Sequence, residues 1–401
     1  MFSDNRRYNI TSPNVAVGIE EFTDGGTNWT LGLDRACSML KIGHIELDVP
    51  FVQAALSGYS DLPMRAMSRR YGAPYALSEV MLDRFIVSRG KKRKAMLTVD
   101  KNDHPLGGQL MGAQPEDFAL AAGEMVEAGY DVIDINFGCP VKKVLGRSRG
   151  GFLLSTPDTA ISIVRRVCDA VGAKCPVTVK MRRGMDDSRE SERNFFTILD
   201  GALEAGVSAA TVHGRTVKQR YVGPSDWGFL GLVKKHVGDK VILGSGDLFN
   251  AENCIKMIKE TGVDGVVVAR GAIGNPWVFA ECRALWRGDP LPPPPSIARQ
   301  LQALREHWAL SLAHHGDRLA PRIMRKFGIK YAEHHPCAQS VRDAFVASKS
   351  SEDYLRVLDT WYDPSTDWPP VSRREGHGDL VASGATQQPT SPPKKAPGGS
   401  S

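Results

Sequence analysis

Residues 132–140 read VIDINFGCP, a short run rich in β-branched residues that ends in small and polar ones. Val and Ile are enriched in β-strands, so the start of this run predicts a strand over 132–136. A helical pattern precedes it, starting at Pro115, and places Phe118 and Ala122 on one face. A helix that leads into a strand is the repeating unit of α/β folds.

The alternation of strand and helix patterns continues along most of the chain. The candidate strands are 52–56, 75–79, 105–110, 132–136, 177–181, 209–213, 241–245 and 265–269. Several of these runs are almost entirely apolar, as expected for parallel strands that are buried on both faces. Eight strand–helix units in about 250 residues have the size of a (β/α)8 barrel, or TIM barrel. An open, doubly wound sheet is the alternative. Because no G-x-G-x-x-G follows the first strand, we predict an α/β fold with a TIM barrel.

Composition divides the 401 residues into five segments. Residues 1–40 lack a clear period and predict a poorly ordered extension, whereas 41–288 hold the barrel pattern. The proline run in 289–295 favours a semi-rigid polyproline II linker. Residues 296–362 carry apolar side chains at helical spacing and predict a small C-terminal bundle of three or four helices. The last segment, 363–401, is rich in Gly, Ser and Pro, and we expect it to be disordered.

The overall composition excludes several classes of protein. With 42% hydrophobic and 24% charged residues, the chain is neither fibrous nor wholly disordered. It contains no apolar stretch of about 18 residues that would predict a membrane span. The first residues lack the apolar core of a secretory signal. Seven scattered cysteines without a C-x-x-C pair argue against a disulfide framework and a structural metal site. We therefore expect a cytoplasmic monomer that binds neither a metal nor a membrane.

Polar and small residues follow the predicted strands where each strand ends. In a TIM barrel these ends meet at one face, which carries the active site. The strand ends offer Gln109, the segment 136–140, Lys180 to Arg183, His213 to Arg215, the segment 244–247 and the segment 269–271. Six consecutive strand ends with different hydrogen-bonding groups indicate a ring of ligand contacts.

The ends of the last two strands favour a phosphate site. Loops at these positions often bind phosphate in barrels. Gly244, Gly246 and Gly271 allow backbone N–H groups to approach an anion closely. Arg270 adds a charged donor. Tight turns without a ligand are the alternative explanation for these glycines, but their position favours phosphate binding.

Three residues at the predicted barrel mouth carry reactive groups. Lys180 suits a Schiff-base nucleophile or a cation beside an electron-rich cofactor, because an unpaired buried ammonium is costly. His213 suits a base or a hydrogen-bond donor, and no second His at ligand spacing supports a metal site. Cys139 lies between a glycine and a proline and suits a nucleophile or a general acid. Most free cysteines, however, are simply small buried apolar residues.

The formal net charge of +6 is concentrated in the predicted helical segment. Between Ser296 and Ser350, nine Lys or Arg residues stand against four Asp or Glu residues. On charge alone a solvated helix face is the simpler explanation, and an anionic partner is the alternative.

Six motifs together resemble those of the tRNA-dihydrouridine synthases, and among them the B-type bacterial enzymes. The motifs are SGYSDLPMR (57–65), GQLMG (108–112), DINFGCP (134–140), VKMRRG (179–184), VHGRT (212–216) and GNPW (274–277). Their order and spacing match the family, and the helical segment resembles its C-terminal tRNA-binding domain. The chain departs from the family at 55–57, Ser245 and Ala269, where Pro-Met-Ala, Asn and Gly are usual.

The resemblance implies a flavin mononucleotide (FMN) at the barrel mouth and NADPH, or alternatively NADH, as electron donor. The implied FMN contacts are Ala55, Leu56, Ser57, Gln109, Lys180, His213, Ser245, Gly246, Asp247, Ala269 and Arg270. The resemblance also implies that Cys139 is the catalytic proton donor. We expect contacts with the tRNA substrate at Asn136, Lys142, Lys143, Arg182, Arg183, Arg215, Arg325, Lys326 and Arg342.

The implied reaction reduces the C5–C6 double bond of specific uridines in tRNA to 5,6-dihydrouridine. Hydride passes from flavin N5 to C6, and Cys139 protonates C5. The target uridine must leave its stack to reach the barrel mouth, so the enzyme must also bind the surrounding RNA. Three alternatives remain: a flavin-dependent barrel oxidoreductase of a small pyrimidine or enone, a non-catalytic RNA-binding protein, and a Schiff-base aldolase that uses Lys180.

Overall fold

The computed structural model describes residues 39–88, 90, 93, 96–371 and 373. The strands are β1 (Leu40–Ile42), β2 (Ile45–Leu47), β3 (Phe51–Gln53), β4 (Tyr75–Leu77), β5 (Met81–Leu82), β6 (Leu106–Met111), β7 (Val132–Phe137), β8 (Val177–Arg182), β9 (Ala209–His213), β10 (Ile242–Ser245) and β11 (Gly265–Val268). The α-helices are α1 (Leu62–Arg70), α2 (Asp83–Val87), α3 (Pro115–Glu127), α4 (Lys142–Leu145), α5 (Pro157–Val171), α6 (Arg189–Glu204), α7 (Trp227–Val237), α8 (Ala251–Thr261), α9 (Trp277–Arg287), α10 (Ile297–His315), α11 (Ala320–Tyr331), α12 (Ala338–Ala347) and α13 (Ser351–Trp361). None of the helices in the described residues is long and apolar enough to cross a membrane.

Eight parallel strands close into the predicted TIM barrel. β3 pairs with β4 and β4 with β6, each strand from β6 to β11 pairs with the next, and β11 pairs with β3. The two-residue strand β5 pairs with β6 beyond the end of β4, after a break at residues 78–80. The strand that was predicted over 75–79 is therefore shorter than expected, and a second short strand follows it.

Side chains of the barrel strands alternate between two apolar environments. On β7, Ile133 and Ile135 belong to the core between strands and helices, whereas Val132 belongs to the barrel interior. Asp134 and Asn136 share the inward-facing side of the strand with Val132, because successive residues of a strand point to opposite faces. The strand thus carries polar side chains into the barrel near its C-terminal end.

A short antiparallel hairpin covers the N-terminal end of the barrel. It consists of β1 and β2, and its Leu40 side chain packs with the apolar interior of the barrel. Gly43 at the turn has a φ of +61°, and a Cβ there would lie 2.7 Å from the Pro176 side chain. The hairpin begins at Leu40, the last residue of the extension predicted over 1–40, and residues 1–38 lie outside the described residues.

The ordered chain also continues past the predicted start of the disordered tail. Disorder is expected over 363–401, but the Trp368 ring packs 4.7 Å from the ring of His335, measured between centroids. The Trp368 ring also stacks on Trp361, so its apolar surface packs against the helical bundle. The expectation is therefore wrong for residues 363–371, and 374–401 lie outside the described residues.

The segment after the proline linker forms a helical bundle, as predicted, with four α-helices among its described residues. Within the bundle, the Trp308 ring stacks on Tyr354 with 4.5 Å between centroids. Two polar contacts attach the bundle to the loop that follows β3. The Lys326 ammonium donates to the Gly58 carbonyl at 2.7 Å, and the ring of His315 lies 2.8 Å from the Asp61 carboxylate.

Gly274 allows the bundle to approach the barrel at backbone distance. Its φ is +65°, a conformation that favours glycine, and a Cβ there would lie 2.6 Å from the backbone nitrogen of Tyr331. The neighbouring Trp277 packs edge-on against the Tyr331 ring at 5.8 Å. The C-terminal end of α11 is therefore held tightly against the loop that follows β11.

His307 lies at the centre of the contact between α10 and α11. The ring is almost completely buried, packs 4.3 Å from the Phe327 ring and lies 3.3 Å from the Tyr331 hydroxyl. Burial lowers the pKa of His307 to about 4, because an imidazolium there would lose its hydration. Nearby His315 also lowers this pKa, and Asp61 opposes the shift.

We predict that His307→Gln weakens the acid sensitivity of the fold. The folded protein keeps His307 neutral down to about pH 4, whereas the unfolded chain takes up a proton below pH 6.5. Stability is therefore present above pH 6.5 and is lost as pH falls toward 4. Between about pH 7 and pH 5, the wild type should lose about 2 kcal/mol more unfolding free energy than the variant. Urea unfolding at the two pH values measures this difference, and His44→Gln at an exposed site is the control. Equal losses in wild type and His307→Gln would contradict the prediction.

Candidate active site

A cavity of about 520 Å³ lies at the C-terminal end of the barrel. Its wall includes every residue that the resemblance implies for FMN: Ala55, Leu56, Ser57, Gln109, Lys180, His213, Ser245, Gly246, Asp247, Ala269 and Arg270. Three more predicted residues, Asn136, Cys139 and Arg182, line the same cavity. The strand ends thus come together as the barrel topology requires.

The structure adds cavity residues that the sequence patterns did not reveal. Tyr221 lies in the loop between β9 and α7, with 55% of its surface exposed. The guanidinium carbons of Arg182 and Arg270 lie 5.6 and 4.8 Å from the centroid of its ring. Lys330 reaches the cavity from α11, so the helical bundle contributes to the wall. An aromatic residue in a loop has no periodic signal, and a helical pattern does not show which strand ends it will face.

Asn136 shapes the loop that carries Cys139. Its side-chain oxygen accepts the backbone N–H groups of Gly138 and Cys139 at 2.9 and 3.0 Å. The backbone carbonyl of Cys139 in turn accepts the N–H of Gly151 at 3.1 Å. These bonds hold the half-buried thiol residue at the cavity wall directly after β7.

Lys180 brings an ammonium group to the cavity from β8. Burial lowers its pKa to about 8, the nearby Arg182 lowers it further, and Asp134 opposes the shift. The ammonium makes no hydrogen bond or ion pair within the described part of the chain. The charge of Asp134 lies near this lysine, but no described residue hydrogen-bonds its ammonium, which favours a ligand that carries electron density.

His213 presents a neutral imidazole. Burial is the largest cause that lowers its pKa, and the surrounding cations Lys180, Arg182, Arg215 and Arg270 lower it further. Its Nδ1 accepts the backbone N–H of Arg215 at 3.3 Å. A neutral ring whose Nδ1 accepts must carry its proton on Nε2, so His213 offers a hydrogen-bond donor to the cavity.

The loop after β10 has the open backbone that the glycine pattern predicts. Gly246 has a φ of +114°, and a Cβ there would lie 2.2 Å from Ser225 Oγ and 3.2 Å from His213 Nε2. Asp247 also has a positive φ, of 58°. Both conformations turn the backbone sharply at the cavity wall, beside Arg270.

Arg215 is not on an RNA-facing surface, so the expected tRNA contact is wrong. Its side chain is completely buried and donates to both carboxylate oxygens of Asp247 at 2.7 and 2.8 Å. It also donates to the Gly223 carbonyl at 2.6 and 2.9 Å. Arg215 therefore stabilises the conformation of the loop after β10.

Arg182 and Arg183, which we expect to hold RNA phosphates at the rim, also make contacts within the protein. Arg182 is almost completely buried and donates to the carbonyls of Gly138, Thr216 and Arg220. These carbonyls belong to the loops after β7 and β9, so Arg182 ties the two loops together. Arg183 pairs with the carboxylate of Asp187 and donates to the Gln219 side chain.

The remaining predicted RNA contacts lie outside the cavity. Lys142 and Lys143 are exposed on α4, three and four residues after Cys139. Arg325 and Lys326 are half-buried on α11, and Arg342 is half-buried on α12. The Lys326 ammonium lies 5.0 Å from the centroid of the Tyr59 ring. No group of three or more His, Cys, Asp or Glu within the described residues is arranged to hold a metal ion.

We predict that Arg215→Leu destabilises the fold by about 3 kcal/mol, because it leaves the Asp247 carboxylate without its buried partner. The free energy of urea-induced unfolding measures the loss. Arg193→Leu on α6 is the matched control, since Arg193 is exposed, and it should change stability by less than about 0.5 kcal/mol. A similar small effect of both substitutions would show that Arg215 is not a structural anchor.

Comparison with known proteins gives consistent matches. A sequence model for the family described as dihydrouridine synthase matches residues 52–363. A probable tRNA-dihydrouridine synthase of Rickettsia conorii is 35% identical over 80% of this chain and 98% of its own length. The tRNA-dihydrouridine synthase B of Pseudomonas aeruginosa is 34% identical over 77% of this chain and 91% of its own. Among solved structures, a 2-naphthoyl-CoA reductase complex shares the fold, with a TM-score of 0.51 and 12% identity. That match covers 63% of this chain and only 52% of the reductase.

Proposed function

Because the chain belongs to the dihydrouridine synthase family, we propose that it reduces uridines in tRNA to 5,6-dihydrouridine, using FMN and NADPH. One observation carries this proposal. A single cavity at the barrel mouth collects a thiol residue, an ammonium group that no described residue hydrogen-bonds, a neutral imidazole and an open glycine loop beside an arginine. The thiol supplies an acid, and the other groups suit an anionic cofactor.

The residues present fit FMN. The cavity volume of about 520 Å³ lies in the range of ordinary cofactor sites. At Gly246 a side chain would collide with Ser225, so this loop leaves backbone groups close to the cavity, where a phosphate would bind beside Arg270. Lys180 supplies the positive charge that a flavin ring system with excess electron density requires. When bound and reduced, FMN supplies a hydride to C6 of the uracil ring.

Cys139 is the proposed acid of the reaction. Hydride addition at C6 leaves negative charge on C5 and O4 of the ring, and a proton must reach C5. The thiol residue lies on the loop after β7 and lines the cavity, so it is placed to supply that proton. Lys180 and the Nε2–H of His213 add positive electrostatic potential on the cavity wall.

NADPH is the proposed source of electrons, and NADH is the alternative. The chain has no G-x-G-x-x-G motif after its first barrel strand, which would form a separate dinucleotide site. NADPH and uridine would therefore enter the same cavity in turn.

The tRNA would lie across the cavity mouth and the helical bundle. A uridine inside the barrel must be unstacked from the RNA, and contacts with its neighbours offset that cost of a few kcal/mol. Exposed Lys142 and Lys143 flank the cavity on one side. Lys330 lines it from the bundle, where Arg325, Lys326 and Arg342 also lie. The partly exposed Tyr221 ring offers a flat surface for a base.

We predict that Cys139→Ala leaves flavin binding and flavin reduction by NADPH intact but lowers dihydrouridine formation in tRNA about 100-fold or more. Dihydrouridine is measured by mass spectrometry of digested tRNA, and flavin by its visible absorption. Cys168→Ala is the control, because Cys168 is a half-buried thiol on α5 away from the cavity. Protein that binds no flavin, or that turns over free pyrimidines without tRNA, would contradict the proposed function.

We also predict that replacing Lys142 and Lys143 together with alanine weakens tRNA binding and lowers its salt dependence. If each lysine neutralises one phosphate, the slope of log affinity against log salt should decrease by about 1.5. Binding titrations at several salt concentrations measure the slope. The control is the double substitution of Lys256 and Lys259, two exposed lysines on α8, which should keep the wild-type slope. An unchanged slope for the first variant would remove α4 from the RNA contact surface.

A further inference from the structure

We propose that Asp134, buried beneath the cavity, is a positioning residue for Cys139 that acts through the side-chain amides of Gln109 and Asn136. The inference rests on the proposed function in that Cys139 acts there as the acid. It concerns three residues on the neighbouring strands β6 and β7 rather than a new contact with substrate. Its basis is a continuous series of hydrogen bonds from the barrel interior to the backbone of Cys139.

The series starts at a carboxylate that is 2% exposed to solvent. The Asp134 carboxylate accepts a hydrogen bond from the Gln109 amide nitrogen at 2.6 Å. The Gln109 amide oxygen accepts from the Asn136 amide nitrogen at 2.7 Å. The Asn136 amide oxygen then accepts the N–H groups of Gly138 and Cys139 at 2.9 and 3.0 Å. We call this series the Asp134 relay.

The Asp134 relay has a direction because an ionised carboxylate can only accept hydrogen bonds. Asp134 therefore requires the NH2 group of Gln109, which turns the Gln109 oxygen toward Asn136. That oxygen requires the NH2 group of Asn136, which turns the Asn136 oxygen toward the loop. If Gln109 were reversed, its NH2 group would face the NH2 group of Asn136. A reversal of Asn136 would remove that clash, but Asn136 could then no longer accept the backbone N–H of Cys139. One carboxylate thus determines the orientation of two side-chain amides and, through them, the position of the loop that carries Cys139.

A buried carboxylate at this position needs its hydrogen bonds to be made. Val132, two residues earlier on the same face of β7, packs in the apolar interior of the barrel, and burying a carboxylate beside it costs free energy. Burial accordingly raises the pKa of Asp134 to about 6, although bonds from Thr178 and Gln109 and the positive charge of Lys180 oppose the shift. Thr178 donates to the second carboxylate oxygen at 2.6 Å. A buried polar network whose members are all satisfied fixes one arrangement of its groups.

The test is amide hydrogen exchange at Gly138 and Cys139 in the full chain, with residue-level resolution. In Asp134→Ala, these two amides should exchange at least about tenfold faster than in wild type, because Asn136 is no longer oriented. Asp134→Asn should stay near wild type, since its amide oxygen accepts from Gln109 and its NH2 group donates to Thr178 Oγ1. Thr178→Val is the matched control, because it removes the other bond to the same carboxylate and leaves the Asp134 relay in place. If Asp134→Ala fails to fold, Gln109→Met interrupts the series one step later and should give the same increase.

A second measurement separates positioning from general damage. In Asp134→Ala, uridine reduction should slow about tenfold more than reduction of bound flavin by NADPH. Both steps use the flavin site that Gln109 and Lys180 line, but only uridine reduction needs Cys139 in place. Unchanged exchange at Gly138 and Cys139 in Asp134→Ala, or exchange in Asp134→Asn as fast as in Asp134→Ala, would overturn the inference. Hydrogen exchange requires neither flavin nor tRNA. Failure of the Asp134 relay is therefore distinguishable from failure of the proposed function, which would appear as absent flavin binding or absent tRNA reduction.

Discussion

Parallel strand register is the constraint on which the site depends. Gln109 of β6 stands opposite Asp134 of β7, and Asn136 of β7 stands opposite Lys180 of β8. Farther round the barrel, Ser245 of β10 stands opposite His213 of β9. A slip of one residue in any of these pairs would turn the polar side chains of that strand out of the barrel and into the apolar layer beneath the helices. The closed barrel prevents such slips, because each of its eight strands is paired on both sides.

The charge balance at the barrel mouth follows from this arrangement. Burial keeps His213 neutral, and four surrounding cations add to that effect: Lys180, Arg182, Arg215 and Arg270. Three of them are engaged by the protein, since Arg182 binds loop carbonyls, Arg215 binds Asp247, and Arg270 lies 3.5 Å from the same carboxylate. The site therefore combines structural cations, which hold its loops, with a lysine that faces the cavity. The resulting positive potential suits a phosphorylated, electron-rich cofactor better than a neutral small molecule.

Much of the fold could be predicted from the sequence, because strands buried on both faces leave nearly continuous apolar runs and because polar residues mark their ends. Because the strand ends meet at one face of the barrel, the cofactor contacts predicted at those ends all line one cavity. Long-range partners could not be predicted. Arg215 follows a strand just as the cavity residues do, but it pairs with Asp247, 32 residues away in the chain. The residues around Arg215 in the sequence do not indicate that partner. Tyr221 and Trp368 are single aromatic residues in irregular segments, so neither contributes to a periodic pattern.

The backbone contact at Gly274 has a consequence for how such a protein can change over time. Lys330, which lines the cavity, lies where α11 contacts this glycine. The shape of the cavity therefore depends on the distance between the bundle and the barrel. A chimaera that combined this barrel with the bundle of a distant relative would preserve every strand-end residue yet reshape the mouth. Barrel and bundle are therefore expected to diverge together, as coupled halves of one catalytic unit rather than as interchangeable modules.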